Sequence, residues 1–326
     1  MNRYHLLHVT EFVYDGPVSE SYNEVRLRPM HDDNQSCLSF RLTTAPASPA
    51  FSYRDALGNW VHQVNVLPIH SKLRVQAESV VLTHDASPTT SWMLLSELEE
   101  RQEELLEEFY DMLAPSKYVP HLPELAALIT AAEAMSDATV AGFAQCASNL
   151  IHERFQYVKG ATHVNSSIAD SMRMGAGVCQ DFAHLLLGVL RKRGIPARYV
   201  SGYLVPHNKD NPAAKLEEVI GGQASHAWAE AYIPDSEWMP LDPTLGKPVG
   251  MRHVRIAYGR DYSDVAPVRG VYKGHAGQRL SVDVSVRPAL DDSGHETLAE
   301  TAAAPSEPEP IEPRAQQGGQ QQQQQQ

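Results

Sequence analysis

The chain has 326 residues, of which 42% are hydrophobic and 21% are charged, and its formal net charge is −13. This length suffices for two domains with stable cores, and the composition is typical of a soluble globular protein. It argues against a nucleic-acid partner, which would require clustered Lys and Arg. No segment approaches the roughly 20 apolar residues of a membrane span, so we expect no membrane partner.

The cysteines and the start of the chain indicate a compartment. Cys37, Cys146 and Cys179 are too few, and odd in number, for a disulfide framework. No apolar run after Met1 matches a secretory signal. We therefore expect a cytoplasmic protein, because a reducing compartment keeps thiols free. The oligomeric state is left open.

Residues 1–84 are predicted to form a small antiparallel β-sandwich domain. Runs of β-formers with turn residues between them predict strands at 4–13, 38–44, 51–53, 60–66 and 73–82. The expected role of this domain is to pack against the following core and orient it.

Residues 85–289 are predicted to form an α+β core. Apolar residues at helical spacing predict helices at 94–113, 124–134 and 139–155, the last of them capped by Ser136 or Asp137. A cluster of acidic residues at 97–111 is interpreted as a solvated helix face.

The most informative run is Gly-Ala-Gly-Val-Cys-Gln-Asp-Phe-Ala-His at 175–184. Two glycines permit a sharp turn, and Cys179 follows where an apolar-periodic helix begins. Free backbone N–H groups at a helix start favour a thiolate, the nucleophile that acyl transfer needs. On its own, an inert buried cysteine is an equally good interpretation. Asp181, in the same turn, is predicted to cap the helix.

Two further residues favour the catalytic interpretation. After a predicted strand at 197–204 and a loop at 206–222, residues 225–233 alternate as a strand with His226, Trp228, Glu230 and Tyr232 on one face. The partner strand at 238–244 carries Asp242, one short hairpin away. We predict a triad in which His226 accepts the proton of Cys179 and Asp242 orients the imidazole.

These segments resemble a known family. The run at 177–184, Gly-Ile-Pro-Ala-Arg-Tyr-Val-Ser-Gly-Tyr at 194–203, His-Ala-Trp at 226–228 and Leu-Asp-Pro-Thr at 241–244 closely resemble the bacterial transglutaminase-like superfamily. The resemblance implies a papain-like fold whose Cys-His-Asp triad falls on Cys179, His226 and Asp242. Residues 259–267 look like the region that closes this core, and Arg-Leu-Arg-Pro at 26–29 resembles the β-rich domain that precedes it.

The remaining candidates carry weaker signals. Gln156, Tyr157 and Asn165 are candidates for a second oxyanion donor, and Trp228 for substrate binding, although core packing is the alternative for the tryptophan. The 15 histidines show no ligand spacing, and no phosphate-binding loop or EF-hand is present, so we expect no metal and no cofactor.

Residues 290–326 are predicted to be a disordered tail, because acids, prolines and a terminal glutamine run cannot bury enough apolar surface to order the chain.

The predicted function is that of a thiol enzyme that forms a Cys179 thioester with a peptide, isopeptide or carboxamide substrate. The resemblance implies peptidase-like members, which favours hydrolysis. Transfer to an amine, as in a protein-glutamine acyltransferase, is one alternative. A non-catalytic interaction protein on the same scaffold is the other.

Overall fold

The computed structural model describes residues 1–85, 91–205, 225–289 and 320–323. The loop predicted at 206–222 lies outside the described residues, and so does the predicted disordered tail at 290–326 apart from 320–323. Among the residues described, no helix combines the length and apolarity that crossing a bilayer requires.

The fold combines two large antiparallel sheets and a short parallel pair of strands with a helical layer, which confirms the α+β class. The strands are β1 (Asn2–Val25), β2 (Gln35–Ala45), β3 (Ala50–Arg54), β4 (Trp60–Val66), β5 (His70–Thr83), β6 (Gln156–Tyr157), β7 (Ala176–Gly177), β8 (Ala197–Leu204), β9 (Ser225–Ile233), β10 (Glu237–Asp242), β11 (Lys247–Pro248), β12 (His253–Gly259), β13 (Val268–Lys273), β14 (Gln278–Pro288) and β15 (Gln320–Gln323). The helices are α1 (Leu95–Glu100), α2 (Gln102–Leu113), α3 (Leu125–Met135), α4 (Val140–Arg154), α5 (Ile168–Met174), α6 (Cys179–Lys192) and α7 (Tyr262–Val265).

The N-terminal β domain is organised around β1, which belongs to two layers. Its first half pairs with β5 and β14, and its second half pairs with β4 and β13. Strands β2, β3 and β15 extend these layers, again antiparallel. Both layers contribute to one apolar core that includes Phe12, Val64 and Leu73. The predicted antiparallel β-sandwich is therefore observed.

This β domain also uses chain from far downstream. Strands β13 and β14 lie within the range assigned to the core, 85–289, yet they pair with β1. The strict alternation of apolar and polar residues at 279–287 is the strand signal that the sequence analysis missed.

The core consists of a five-stranded antiparallel sheet, in the order β11-β10-β9-β8-β12, with helices packed on it. Helix α6 lies against β8 and β9 and is covered by α3, α4 and α5. Its residues from Asp181 to Arg191 are all buried. A helix buried on every side is held rigidly, and this fixes the position of its first residue, Cys179.

Side-chain amides of the β domain form hydrogen bonds with the backbone of β12, the edge strand of this sheet. Gln35 accepts a hydrogen bond from the backbone N–H of Arg255 and donates to its carbonyl, at 2.7 Å each. Asn59 forms the same pair of bonds with the backbone of Tyr258, at 2.8 and 2.9 Å. Because these bonds satisfy backbone groups on the free edge of β12, the β domain fixes the strand that carries His253.

Two local predictions need correction. The helix predicted at 94–113 is divided at Arg101, whose φ of −100° and ψ of 10° separate α1 from α2. The cap of α4 is Thr139, whose hydroxyl accepts from the N–H of Gly142 at 2.9 Å, and not Ser136 or Asp137. Asp137 instead accepts hydrogen bonds from the N–H and hydroxyl of Thr139.

Candidate active site

Cys179 is the first residue of α6. Gly175 caps the C-terminus of α5 in the left-handed conformation, with φ of 61°, and β7 then leads to the N-cap residue Val178. The valine side chain has no hydrogen-bond acceptor, so it leaves the first-turn N–H groups of α6 available to a ligand. The Cys179 thiol is free and half-buried. A partly exposed thiol at a helix start suits a nucleophile.

Asp181 stabilises this turn, as predicted. Its carboxylate accepts from the N–H of Val178 at 2.8 Å and from the hydroxyl of Thr162. Residue 177 must be glycine, because a Cβ there would lie 2.7 Å from the Asp181 side chain. Burial raises the pKa of Asp181, and the bonds from Thr162 and Val178 oppose that rise.

His226 and Asp242 meet at the end of the β9–β10 hairpin. His226 Nε2 lies 2.7 Å from Asp242 Oδ2, and both side chains are completely buried. The other carboxylate oxygen, Oδ1, accepts from the N–H groups of Thr244 and Leu245 at 2.9 and 3.1 Å. The turn after β10 therefore fixes the carboxylate, and the carboxylate fixes the imidazole.

The proton distribution follows from these contacts. Burial lowers the pKa of His226, but the Asp242 carboxylate and the Cys179 thiol more than compensate and raise it to about 10. Burial would raise the pKa of Asp242, whereas His226 and His253 hold it well below its usual range. At neutral pH the pair is an imidazolium and a carboxylate.

Cys179 adjoins the other side of this imidazole. Its thiol interacts with His226 strongly enough to contribute to the raised pKa. The thiol acts on the imidazole as a hydrogen-bonding neighbour, although His226 Nδ1 does not reach ideal hydrogen-bond geometry with any residue described. Such bonds are often long before substrate binds. The structure thus brings the three predicted residues into one chain of contacts.

His253 is a further member of this cluster that the sequence analysis missed. Its Nε2 lies 3.1 Å from Asp242 Oδ2, and its side chain is 5% exposed. No local pattern marks it, because its position depends on the pairing of β12 with β8 across a long stretch of chain. The ligand atoms of His226, Asp242 and His253 lie within 4.8 Å of one another, a grouping able to hold a metal ion. The prediction of no metal relied on spacing alone.

Of the three candidates for a second oxyanion donor, Tyr157 is the one whose phenol is affected electrostatically by Cys179. Strand β6 pairs with β7, so Tyr157 faces Gly177 across the pair. Burial, followed by the neighbouring Cys179 and Asp181, raises the pKa of its phenol, which therefore stays protonated. Gln156 is exposed, and its backbone N–H is bonded to Gly175. Asn165 is exposed and accepts from the Tyr118 hydroxyl.

Trp228, the candidate for substrate binding, requires correction. It is only 1% exposed, and its ring lies against Gly202 and the rings of His226 and His253. It therefore packs behind the triad and presents no surface to a substrate. Tyr232 and Trp238 pack together against Phe109, as core packing of the hairpin requires.

The fold and these contacts define a papain-like thiol-enzyme scaffold, and comparison with known proteins agrees. The model of the transglutaminase-like superfamily matches residues 128–243, and the model of the bacterial transglutaminase-like N-terminal region matches residues 4–82. An uncharacterised protein of Mycobacterium leprae is 35% identical over 289 residues, covering 88% of this chain and 99% of that protein. The chain therefore belongs to the transglutaminase-like superfamily.

Two other similarities are shorter or lower in sequence identity. A protein-glutamine gamma-glutamyltransferase of Pseudomonas aeruginosa is 35% identical over 130 residues, which cover 38% of this chain and 18% of that enzyme. The solved structure of a candidate cysteine protease from Cytophaga hutchinsonii has a TM-score of 0.65 at 22% identity, covering 89% of this chain and 92% of its own. The latter likeness shows the fold.

Proposed function

We propose that the chain is a thiol enzyme that forms a thioester between Cys179 and a peptide, isopeptide or carboxamide substrate and then hydrolyses it. The observation that supports this most is the buried His226–Asp242 pair, held beside a thiol at the start of a helix. An imidazolium next to a sulfur favours the thiolate, so the nucleophile is ready before substrate arrives. A cytoplasmic location, proposed with it, would keep this thiol reduced.

In the first half-reaction, the sulfur of Cys179 attacks the carbonyl carbon of the substrate and the carbonyl electrons move to oxygen. The N–H of Cys179, free at the helix start, donates to this oxyanion. His226 Nδ1 then gives its proton to the leaving nitrogen as the carbon–nitrogen bond breaks. The products of this step are an amine and a Cys179 thioester.

In the second half-reaction, His226 accepts a proton from a water molecule, whose oxygen attacks the thioester carbon. The carbon–sulfur bond then breaks, and a carboxylic acid leaves as the thiolate–imidazolium pair is restored. The half-buried Cys179 side chain is in contact with solvent, which suits water as the acceptor.

Tyr157 is proposed as the second oxyanion donor, because β6 places it opposite Gly177, two residues before the cysteine, and its phenol stays protonated. Changing Tyr157→Phe should lower kcat by about 100-fold, the typical loss for one oxyanion donor. Alkylation of Cys179 by iodoacetamide should be unchanged, since that reaction develops no oxyanion. Both rates are measured on the same preparation. A Tyr157→Phe enzyme with wild-type kcat would remove Tyr157 from the oxyanion site.

The central test is the reactivity of Cys179 towards iodoacetamide as a function of pH, with modified residues identified by mass spectrometry. Cys37 and Cys146 are internal controls, because burial raises the pKa of both. Cys179 should be alkylated far faster than either at pH 6, and His226→Ala should abolish that selectivity. Equal, slow labelling of all three would instead support a non-catalytic scaffold.

Transfer to an amine is the second candidate, favoured by the similarity to the Pseudomonas aeruginosa transferase. Hydrolysis and transfer differ in the nucleophile that attacks the thioester, which is water in the first and an amine in the second. A library of glutamine-containing peptides, incubated with and without a labelled primary amine, separates them by mass. Release of acid and amine fragments in both samples supports hydrolysis. Incorporation of the amine without cleavage would make the enzyme an acyltransferase.

A further inference from the structure

We propose that His253 is a positioning residue of the active site, which donates a hydrogen bond from Nε2 to Asp242 and thereby holds the carboxylate that orients His226. This inference rests on the proposed function, because it assumes that the Cys179–His226–Asp242 chain is catalytic. It adds a fourth member to the predicted triad and gives β12 a role in the chemistry.

The hydrogen bonds assign the position of the proton on His253. The backbone N–H of Gly250 points at His253 Nδ1 at 3.2 Å, and an N–H can only donate. Nδ1 is therefore an acceptor, so the proton of the neutral ring resides on Nε2, which faces Asp242 Oδ2. Burial lowers the pKa of His253, although Asp242 opposes that change, so the ring is neutral at physiological pH.

Packing holds this ring in place. Trp228 lies edge-on to it, with ring centroids 5.3 Å apart and an angle of 78° between the planes. A Cβ at Gly202 would come within 2.5 Å of the Trp228 ring, so the glycine makes room for the indole. The Gln35 amide binds the backbone of Arg255, which lies two residues after His253 on β12. His253 is therefore fixed from both sides and cannot turn away from Asp242.

The same arrangement argues against a metal ion in this cluster. A metal would need the lone pair of His253 Nε2, which requires the proton to move to Nδ1. That proton would then face the N–H of Gly250, with two donors in contact. Metal binding would also occupy the His226 nitrogen that contacts Asp242. The cluster is better satisfied as a set of hydrogen bonds that converge on one carboxylate.

The charged groups around Asp242 determine the expected effect. They are His226 from β9, His253 from β12 and, beyond the imidazole of His226, the Cys179 thiol from α6. Arg252, which precedes β12, acts on His253. Loss of the His253 donor leaves Asp242 easier to protonate. Since a protonated Asp242 no longer supports the imidazolium, the thiolate should be lost at a higher pH.

The experiment compares His253→Leu and His253→Gln in the full chain by the pH profile of Cys179 alkylation. His253→Leu should move the acidic limb of the profile upward by about one pH unit, the effect of losing one charge-assisted hydrogen bond. His253→Gln should restore the wild-type limb, because a glutamine amide reaches the position of Nε2 and donates there. Gly250→Pro, which lacks the N–H that sets the tautomer, should shift the limb in the same direction, while Gly250→Ala should not.

The outcomes separate this proposal from its rivals. A His253→Leu protein that melts earlier but keeps the wild-type pH profile would overturn it, leaving His253 a packing residue. Two results together would make the cluster a metal site. Both His253 variants would lose the wild-type pH dependence of Cys179 alkylation, and adding Zn²⁺ to chelator-treated wild-type protein would slow the alkylation. If wild-type Cys179 itself titrates as an ordinary thiol, the proposed function has failed, which is a different result.

Discussion

Replacing Asp242 with asparagine is expected to abolish the reactivity of Cys179 at acidic pH while leaving the protein folded. The two side chains have the same shape, but asparagine carries one acceptor and one donor where aspartate carries two acceptors. Turnover of substrate should fall about 10⁴-fold, the size of the corresponding change in serine enzymes with an aspartate in this role.

The backbone donors at the carboxylate set which way the amide points, because a backbone N–H cannot become an acceptor whereas an imidazole nitrogen can. Thr244 and Leu245 both donate to Oδ1, so the asparagine oxygen has to occupy that position. The amide nitrogen then faces His226 Nε2, which must become an acceptor and pass its proton to Nδ1. The amide nitrogen also faces the Nε2–H of His253, which loses its acceptor. A neutral imidazole protonated at Nδ1 has no lone pair for the Cys179 proton, so the base is lost.

Iodoacetamide labelling measures this change directly. In the wild-type protein the rate at Cys179 should vary little between about pH 5 and pH 8, as for other thiolate–imidazolium pairs. In Asp242→Asn it should fall about tenfold per pH unit below pH 8, as for a thiol of ordinary pKa. Circular dichroism is the control for folding. A folded Asp242→Asn protein with the wild-type profile would show that the carboxylate does not support the imidazole.

The positions of Cys179, His226 and Asp242 in the fold were predictable from sequence because each one has a local signal. The glycines and the apolar period place Cys179 at a helix start, and the alternation at 225–233 places His226 at the start of a strand. Strand β8 was predicted with the bounds it has, since a helix stop precedes it and a polar stretch follows. The hairpin is short, so Asp242 could be assigned to the neighbouring strand.

The missed features all depend on contacts between distant parts of the chain. His253 becomes significant only because β12 pairs with β8, about 50 residues away in sequence. Strand β1 continues past Gly16 and Pro17, which normally end a strand, because it changes partners there from β5 and β14 to β4 and β13. Trp228 was a candidate for substrate binding because the alternation at 225–233 shows which residues share one face of the strand. It does not show which other elements cover that face.

Replacing Glu230 with glutamine is expected to destabilise the core severely. Glu230 lies on β9 with its side chain 1% exposed, and its two oxygens pair with Arg198 at 2.6 Å and with Arg255 at 2.8 Å. Arg255 also pairs with Asp32, so among the residues described it is Arg198 that is left without a carboxylate, and an uncompensated buried charge typically costs about 3–5 kcal/mol. For a chain of this size that corresponds to a fall in Tm on the order of 10 °C.

A thermal melt of Glu230→Gln measures the effect, with Glu104→Gln as the matched control. Glu104 also pairs with an arginine, Arg101 at 2.8 Å, but on the surface, where water and salt screen the pair, so its Tm should hardly change. Equal Tm values for the two variants would show that the buried charge of Arg198 is satisfied without Glu230.

The double variant Glu230→Gln with Arg198→Met decides whether charge is the cause. Arg198 lies between the rings of Trp238 and Tyr258, at 4.0 and 3.8 Å from their centroids, so methionine can fill its place against apolar surface. If the stranded charge is responsible, the double variant should lose less stability than the two single variants together. Strict additivity would mean that Glu230 acts by packing alone. Because Glu230 links β8, β9 and β12, the same measurement tests how firmly the strands carrying His226 and His253 are held side by side.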